Sequence, residues 1–357
     1  MNIQLSDHFN YKKLFLFTLP SVVMMVFTSV YCVVDGFFVS NFAGKTAFAA
    51  INLIMPFIMI LGGIGFMIGT GGSALVSYTL GTGDKEKANR YFSMLVYFTI
   101  LAGILLTVLG IIFVRPIAEL FGADESMMDT CVLYGRIVIA FNAAFMLQNI
   151  FQSFFVVAEK PRLGLIVTIA AGVTNMVLDA LFVGVFKWGI VGAALATGIS
   201  QSIGGLLPLL YFALPNNSPL QLTRTGFELA PLLKASSNGC SELMSNVASS
   251  LIGIMYNYQL MRLGGENAVA TYGVLMYIQF VFIAIFIGYS VGSAPIIGYH
   301  YGAGNFKELQ NMRRKSLKIM SISGVLMAIL GFTLAPVISA IFVGYDAELL
   351  SMTITEI

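Results

Sequence analysis

Two carboxylates interrupt otherwise apolar stretches of this sequence. Asp35 stands in "VYCVVDGFFV", and Asp179 stands in "TNMVLDALF", where Asn175 precedes it by four residues. Residues four apart share one face of a helix. A buried carboxylate that stays ionised is unfavourable unless it meets a cation or a partner, and otherwise it takes up a proton. The two aspartates therefore indicate a buried polar site, provided that the elements carrying them meet.

The composition indicates which solvent surrounds those elements. Of the 357 residues, 58% are hydrophobic and only 10% are charged, and the mean hydropathy is +0.88. A water-soluble domain needs a more polar surface, so the chain is a polytopic membrane protein. Basic clusters such as Arg313-Arg314-Lys315 then act as topology signals rather than as contacts to nucleic acid.

Nine apolar runs are long enough to cross a bilayer, whose hydrocarbon layer of about 30 Å needs about 20 helical residues. We therefore predict an all-α membrane protein. The runs lie at 13–40, 47–79, 91–114, 131–157, 163–186, 189–213, 231–261, 268–300 and 317–343.

The basic residues orient these predicted helices. With a cytoplasmic N-terminus, 14 of the 19 Lys and Arg residues fall on the inner side, as the positive-inside rule requires. The expected location is the cytoplasmic membrane of a bacterium or archaeon.

The sequence also repeats itself. Residues 20–83 can be laid on residues 241–304 without gaps, and the turn that starts at Gly81 recurs at Gly302. Six spans separate each position from its copy, so both copies enter the membrane in the same sense. Such parallel repeats are related by an axis along the membrane normal, with a cavity between the halves.

The repeat predicts the organisation of the chain. A six-helix lobe occupies residues 1–213, a cytoplasmic linker residues 214–230, and the first three helices of a second lobe residues 231–357. A complete pair of repeats would need about 442 residues, so we expect the second lobe to be incomplete.

Helix rise sets the depth of the polar residues. At about 1.5 Å per residue, Asp35 and Asp179 both lie in the outer half of the bilayer, and Thr197 returns to a similar level from Trp188. Two carboxylates, one amide and one hydroxyl would then surround one point. Close carboxylates share a proton or bind a cation, which predicts a proton or sodium site. The alternative is that Asn175 and Asp179 only hydrogen-bond neighbouring helices.

Two stretches carry a resemblance to a known family. They are "VYCVVDGFFVSNFAG" in the first predicted helix and "GVTNMVLDALFVGVFKWGIVGAALAT" in the fifth and sixth, with the Gly81-Thr-Gly-Asp84 turn between them. Over its whole length the chain resembles multidrug and toxic compound extrusion transporters of the bacterial and archaeal type.

The resemblance implies site residues and a mechanism. Asp35, Asn175, Asp179 and Thr197 match the N-terminal cation site of the family. Substrate would leave as a proton or sodium ion enters, while two lobes rock between inward-open and outward-open states. Weaker candidates for the substrate cavity are Tyr31, Tyr134, Gln152 and Asn246.

Glu242 is a separate candidate. Glu242 lies near the bilayer midplane on the seventh predicted helix, and Ser245, Asn246 and Ser249 follow it as a polar stripe. It resembles a glutamate that binds sodium in the second lobe of some family members. The partner aspartate of those members lies on a tenth helix, beyond the nine predicted runs, and interhelical hydrogen bonding is the alternative role for Glu242.

Three functions are considered for this sequence. The first is export of cationic or amphipathic compounds by a monomeric antiporter without a cofactor. The second is flipping of a lipid-linked oligosaccharide or peptidoglycan precursor, which needs basic cavity residues; Arg136 is the Lys or Arg that lies deepest within a predicted run. The third, an intramembrane enzyme, lacks an HExxH motif, paired histidines or a GxSxG motif at membrane depth.

The charge pattern generates a test of topology. Labels at Lys85 and Arg313 should react from the cytoplasm, and a label at Lys187 should react from outside, because the basic residues cluster on alternate loops. Impermeant reagents applied to intact cells and to inverted vesicles measure this. Reaction of Lys187 from the cytoplasmic side alone would contradict the helix assignment.

Overall fold

A computed structural model describes residues 3–39, 42, 45–123 and 125–343. These residues form nine α-helices and one π-helical segment, Ala180–Val185. The α-helices are α1 Tyr11–Phe38, α2 Lys45–Gly81, α3 Lys85–Leu120, α4 Glu125–Ala140, α5 Asn142–Val157, α6 Pro161–Asp179, α7 Gly189–Ala213, α8 Leu229–Gly302 and α9 Phe306–Val343. The predicted all-α fold is confirmed, and residues 344–357 of the predicted second lobe lie outside the described residues.

The predicted run 131–157 is a broken span. α4 and α5 meet at an angle of 54°, and the residue between them, Phe141, leaves the helical conformation. The Phe141 ring occupies the space beside Gly198 of α7, where a Cβ would overlap it. A bulky ring at the break and a glycine opposite it therefore fix the bend, which hydropathy does not show.

The runs 231–261 and 268–300 belong to one helical element, α8, which reverses direction. The rings of Tyr256 and Tyr272 stack 5.3 Å apart, although 16 residues of straight helix would separate them by about 24 Å. Both ends of α8 also pack on the same end of α2, through Ala235 and Tyr299. α8 is thus a hairpin of two arms, as the two predicted runs require.

Seven helical segments of the described chain are long and apolar enough to cross a membrane, and the bent pair α4 and α5 makes an eighth. The predicted run 231–261, in the first arm of α8, is not among these segments. This arm carries many serines and asparagines and Glu242, which lower its hydropathy.

Small residues bring the helices together. A Cβ on Gly65 of α2 would lie 2.6 Å from the Met146 backbone of α5, and a Cβ on Gly103 of α3 would lie 2.8 Å from Ala143. The outward faces carry large apolar side chains such as Leu101 and Ile112. This arrangement, with small residues inside and large ones outside, is typical of helices packed in lipid.

The two turns of the internal repeat have the same backbone structure. Gly83 and Gly304 both have positive φ, 88° and 67°, which glycine adopts without a steric penalty. The following side chains, Asp84 and Asn305, each accept a hydrogen bond from a backbone N–H three residues on, at 3.0 and 3.2 Å. The repeat read from the sequence is therefore a structural repeat.

The repeated turns also contact each other's copies. Gly81 packs on the backbone of Tyr299, and Gly302 packs on the backbone of Tyr78, the residue equivalent to Tyr299. This reciprocal pair is what a pseudo-two-fold axis between parallel repeats produces. It closes one side of the molecule, where α2 and α8 end.

The close packing generates a prediction of stability. Gly65→Ala should lower the free energy of unfolding by about 1–3 kcal/mol, because the methyl group meets backbone atoms that cannot move aside. The matched control is Gly324→Ala in α9, where a Cβ meets no atom within 4 Å. The control should be neutral or stabilising by up to about 1 kcal/mol. Thermal unfolding in detergent compares them, and equal effects would contradict the packing argument.

Candidate functional site

The buried face of α6 consists of small and polar residues. Thr168, Ala171, Gly172, Asn175 and Asp179 recur at helical spacing and are all buried. The opposite face carries the exposed side chains Ile166, Ile169, Val173 and Val177. In a membrane the apolar face meets lipid, so the polar face turns inward. The placement of Asn175 and Asp179 inside the protein follows from this inverted pattern.

Contact between α1 and α6 brings the two aspartates to one level. Gly172 packs against the rings of Phe27 and Tyr31, so α6 lies close to α1. The two helices start on the same side, since the residues just before them, Leu5 and Glu159, are hydrogen-bonded. Because parallel helices rise by the same amount per residue from a shared contact, Asp179 lies at the same level along the helix axes as Asp35.

The carboxyl groups of Asp35 and Asp179 are close enough to interact directly. Asp179 is completely buried, with 0% of its surface exposed, whereas Asp35 is half-buried. Neither oxygen of Asp179 has a hydrogen-bond partner in the described structure, and Oδ1 of Asp35 is also unpartnered. The two carboxyl groups therefore have each other as polar neighbours, and no donor from another residue reaches these three oxygens.

Thr197 joins this level from α7. α6 and α7 are antiparallel neighbours, and Gly192 of α7 packs on Phe182, three residues beyond Asp179. This register sets Thr197 opposite position 177, midway between Asn175 and Asp179. The Thr197 hydroxyl and the Asn175 carbonyl oxygen are both buried and without a partner.

Tyr134 of α4 completes the cluster. The sequence suggested it only as a weak candidate for a substrate cavity, but its side chain is 1% exposed and lies within electrostatic range of both aspartates. Its hydroxyl has no partner in the described structure. Four helices thus contribute six unpartnered oxygens to the acidic cluster, which we define as Asp35, Tyr134, Asn175, Asp179 and Thr197.

The helix changes its geometry directly after the acidic cluster. α6 ends at Asp179, and Ala180–Val185 continues as a π-helix whose end is marked by the Phe186 N–H bond to the Leu181 carbonyl. The rings of Phe182, Phe186 and Trp188 stack over this segment at 4.9–6.2 Å. Single π turns inside helices frequently mark functional sites. The apolar run gave no signal of it.

Other polar residues line the interior of the first seven helices. Tyr31 lies within reach of Gln148 on α5, and Gln152 is buried one turn further along that helix. The side-chain oxygens of Asn142, Gln148 and Gln201 are buried and lack partners. These three residues were not among the predicted site residues. The signal was nevertheless present, because each is a polar side chain within an apolar run, as Asp35 is.

Glu242 and Asn246 do not join the acidic cluster. Glu242 is half-buried on the first arm of α8, and the adjacent Leu243 packs near Gly63 of α2. Asn246 is exposed, and the Ser245 hydroxyl bonds the Ser241 carbonyl of its own helix. Among the described residues, no hydrogen bond or ion pair connects Glu242 with Asp35 or Asp179.

A cavity of about 450 Å³ lies elsewhere, beside the α2–α3 turn. Its charged groups already have partners: the ammonium groups of Lys87 and Lys234 lie over the rings of Tyr91 and Tyr78, and Glu228 pairs with Arg90. No group of three or more His, Cys, Asp or Glu residues suited to a metal ion occurs in the part of the chain that the structure describes. The acidic cluster, with its unpartnered oxygens, is the candidate site.

Known proteins with related sequences are exporters by name. The chain is 24% identical over 356 residues to the multidrug export protein MepA of Staphylococcus saprophyticus subsp. saprophyticus, covering 97% of this chain and 78% of that protein. It is 25% identical over 298 residues to MepA of Staphylococcus aureus (strain MRSA252), covering 82% of this chain and 64% of the relative.

Solved structures share the fold. An outward-facing multidrug resistance MATE family transporter of the MOP superfamily superposes with a TM-score of 0.92 at 21% identity, over 99% of this chain and 79% of that one. A MOP superfamily transporter from Pyrococcus furiosus, described as having a binding pocket of reverse polarity, superposes with a TM-score of 0.88 at 20% identity, over 98% and 78%. The sequence matches the MatE family over residues 20–181 and 243–355, most of its length. The chain therefore belongs to the MatE family of membrane transporters.

Proposed function

We propose that this protein exports cationic or amphipathic compounds in exchange for a proton or a sodium ion, by alternating access. The acidic cluster is the proposed coupling site. The observation that carries the proposal is the set of six buried oxygens around Asp179, two of them hydroxyls, that have no hydrogen-bond partner in the described structure. Burying polar atoms without partners is unfavourable. Binding of a proton or cation at such a site therefore lowers the free energy of the protein.

Each member of the cluster has a proposed role. Asp35 and Asp179 share the charge of the proton or ion, because two close carboxylates in a medium of low polarity do not both ionise easily. Asn175 and Thr197 supply neutral oxygens, the ligand type that hard cations prefer. The Tyr134 hydroxyl, which has no partner in the described structure, supplies a further oxygen to the proton or ion.

The architecture supports a transporter of two lobes. We propose residues 1–213 as the first lobe, 214–230 as the inter-lobe linker and 231–357 as part of the second lobe. The chain is non-helical from 214 to 228 and α8 begins at Leu229, which is compatible with that linker. We further propose that the chain is a monomer in the cytoplasmic membrane with its N-terminus inside.

The polarity of the interior favours the exporter over the flippase. The alternative needs basic groups for a pyrophosphate, but Arg136 of α4 is exposed on the helix bundle. The charged members of the acidic cluster are both carboxylates, which attract cations. We accordingly propose positively charged and amphipathic compounds as substrates; the Staphylococcus relatives are named multidrug export proteins.

The central test replaces the carboxylates. Asp179→Asn and Asp35→Asn should each reduce export of a lipophilic cationic dye to the rate of protein-free vesicles, since the amide keeps the shape but cannot exchange a proton at neutral pH. The double variant should be no worse than either single variant, because residues that act as one site are strongly non-additive. Asn175→Ala and Thr197→Ala should weaken ion dependence about tenfold each.

These rates are measured in proteoliposomes under separate sodium and pH gradients and divided by the amount of folded protein. If the aspartates served only as hydrogen-bonding residues between helices, their replacement would instead change thermal stability and leave turnover normal. Near-normal turnover of folded Asp179→Asn would therefore contradict the coupling site.

A second test separates the role of the Tyr134 hydroxyl in ion dependence from a role in packing and stability. Tyr134→Phe removes a buried hydroxyl without a partner, so the melting temperature should stay the same or rise, while the ion dependence of export shifts about tenfold. Tyr289→Phe is the control, since that hydroxyl donates to Ser316 Oγ at 2.8 Å. The control should lower the melting temperature and leave ion dependence unchanged. The reverse pattern would assign Tyr134 a structural role alone.

A further inference from the structure

The segment before α1 is folded onto the protein rather than free. We call residues 3–10 the N-terminal strap. Leu5 is 1% exposed and Phe9 is 0% exposed, and Phe9 packs edge-on against Phe17 at 5.8 Å. Their apolar cluster includes Val156 of α5 and Met312 of α9. Side chains of the strap therefore contact both the first seven helices and the last two.

Two glutamates hold the backbone of the strap. Glu159, in the α5–α6 turn, accepts the Leu5 N–H at 2.7 Å. Glu308, in the first turn of α9, accepts the Phe9 N–H at 3.0 Å and lies 2.6 Å from His8 Nδ1. Glu308 is only 5% exposed and also accepts from Asn311 Nδ2 at 2.7 Å. A buried carboxylate with three donors is a strong anchor.

The surrounding charges support the same anchor. Lys315 of α9 donates to the Phe9 carbonyl, and Lys13 of α1 pairs with Asp7 at 3.1 Å. His300 at the end of α8 is buried beside Asp7 and His8. The strap thus connects the α5–α6 turn to α9 through noncovalent contacts.

The inter-lobe linker makes the equivalent crossing on the repeat-related side. Its backbone N–H groups at Gln221 and Thr223 donate to Asn89 and Ser93 of α3. The segment before α8 therefore lies on α3, as the segment before α1 lies on α9. The linker joins α7 to α8, and the strap leads into α1.

The strap lies on the closed side of the molecule. There, α2 and α8 meet through the reciprocal contacts of Gly81 and Gly302. We propose that the N-terminal strap is a latch that holds this side closed and must leave Glu308 before the lobes open there. The inference rests on the alternating access of the proposed function. Glu308 is a positioning residue that acts through the strap.

A buried cysteine reports opening. The reporter is Ser77→Cys, because Ser77 is fully buried against Gly298 of α8. The native Cys32, Cys131 and Cys240 are first replaced by serine or alanine, so that only the new cysteine reacts. The protein is held in lipid nanodiscs, so that a maleimide reagent reaches both faces. Its labelling rate is proportional to the fraction of molecules open on this side.

Glu308→Gln should raise the labelling rate about tenfold, since it removes the charge that strengthens three hydrogen bonds. Leu5→Ala is the second variant; it alters the strap alone and should raise the rate in the same direction. Glu86→Gln, in the exposed first turn of α3, is the matched control and should label at the starting rate.

Two outcomes overturn the latch and differ in meaning. Labelling of the parent protein that increases with substrate or ion, but is unchanged by Glu308→Gln and Leu5→Ala, would refute the latch and leave alternating access intact. Absence of labelling in the parent and in every variant, under all ion and substrate conditions, would refute the proposed alternating access and the latch with it.

Discussion

The first seven helices enclose one constraint, the burial of a pair of ionisable carboxyl groups that no other side chain satisfies. Asp179 is completely enclosed, and both of its oxygens lack a donor in the described structure. An unsatisfied buried polar group is unfavourable by about 1–3 kcal/mol, and more when it is charged. The surrounding helices must supply that free energy through packing. Gly172 and Gly192 contribute by letting α1 and the π-helical segment approach within contact distance.

Close backbone packing gives these helices a small number of discrete arrangements. Where a glycine meets backbone, as Gly65 meets Met146 and Gly81 meets Tyr299, the contact either forms or breaks. Packed interfaces of this kind are bistable rather than continuously deformable. A site whose charge changes on one side of such an interface can therefore favour one arrangement over the other. The proposed coupling between the acidic cluster and the closed side, where α2 and α8 meet, would act through contacts of this kind.

Symmetry and its breakdown shape that closed side. The repeat gives both halves the same capped turn, at Gly83 and Gly304, and the same reciprocal contact. The anchors nearby differ, because Glu308 stands where the first copy has Lys87. Glu308 accepts the Phe9 N–H of the strap, whereas the Lys87 ammonium lies over the Tyr91 ring of its own helix. The pseudo-symmetric fold therefore carries an asymmetric set of contacts.

The sequence alone determined the membrane class, the all-α fold, the repeat and the identity of the polar residues within apolar runs. These follow from composition, from run length and from spacing, which depend on the solvent and on helix geometry. Depth counting also brought Asp35, Asp179 and Thr197 to one level. The same counting predicted that these residues and Asn175 surround one point, and the resemblance implied the same four as a cation site.

Only the tertiary structure decided which of those residues come close together and which elements reverse or bend. The break at Phe141, the π-helix after Asp179 and the reversal within α8 depend on contacts between residues far apart in the chain, which hydropathy cannot register. Tyr134 belongs to the acidic cluster because α4 packs there, and Glu242 does not because the first arm of α8 packs against α2. A sequence gives the depth of a side chain along its helix, but the direction in which it points depends on the neighbouring helices.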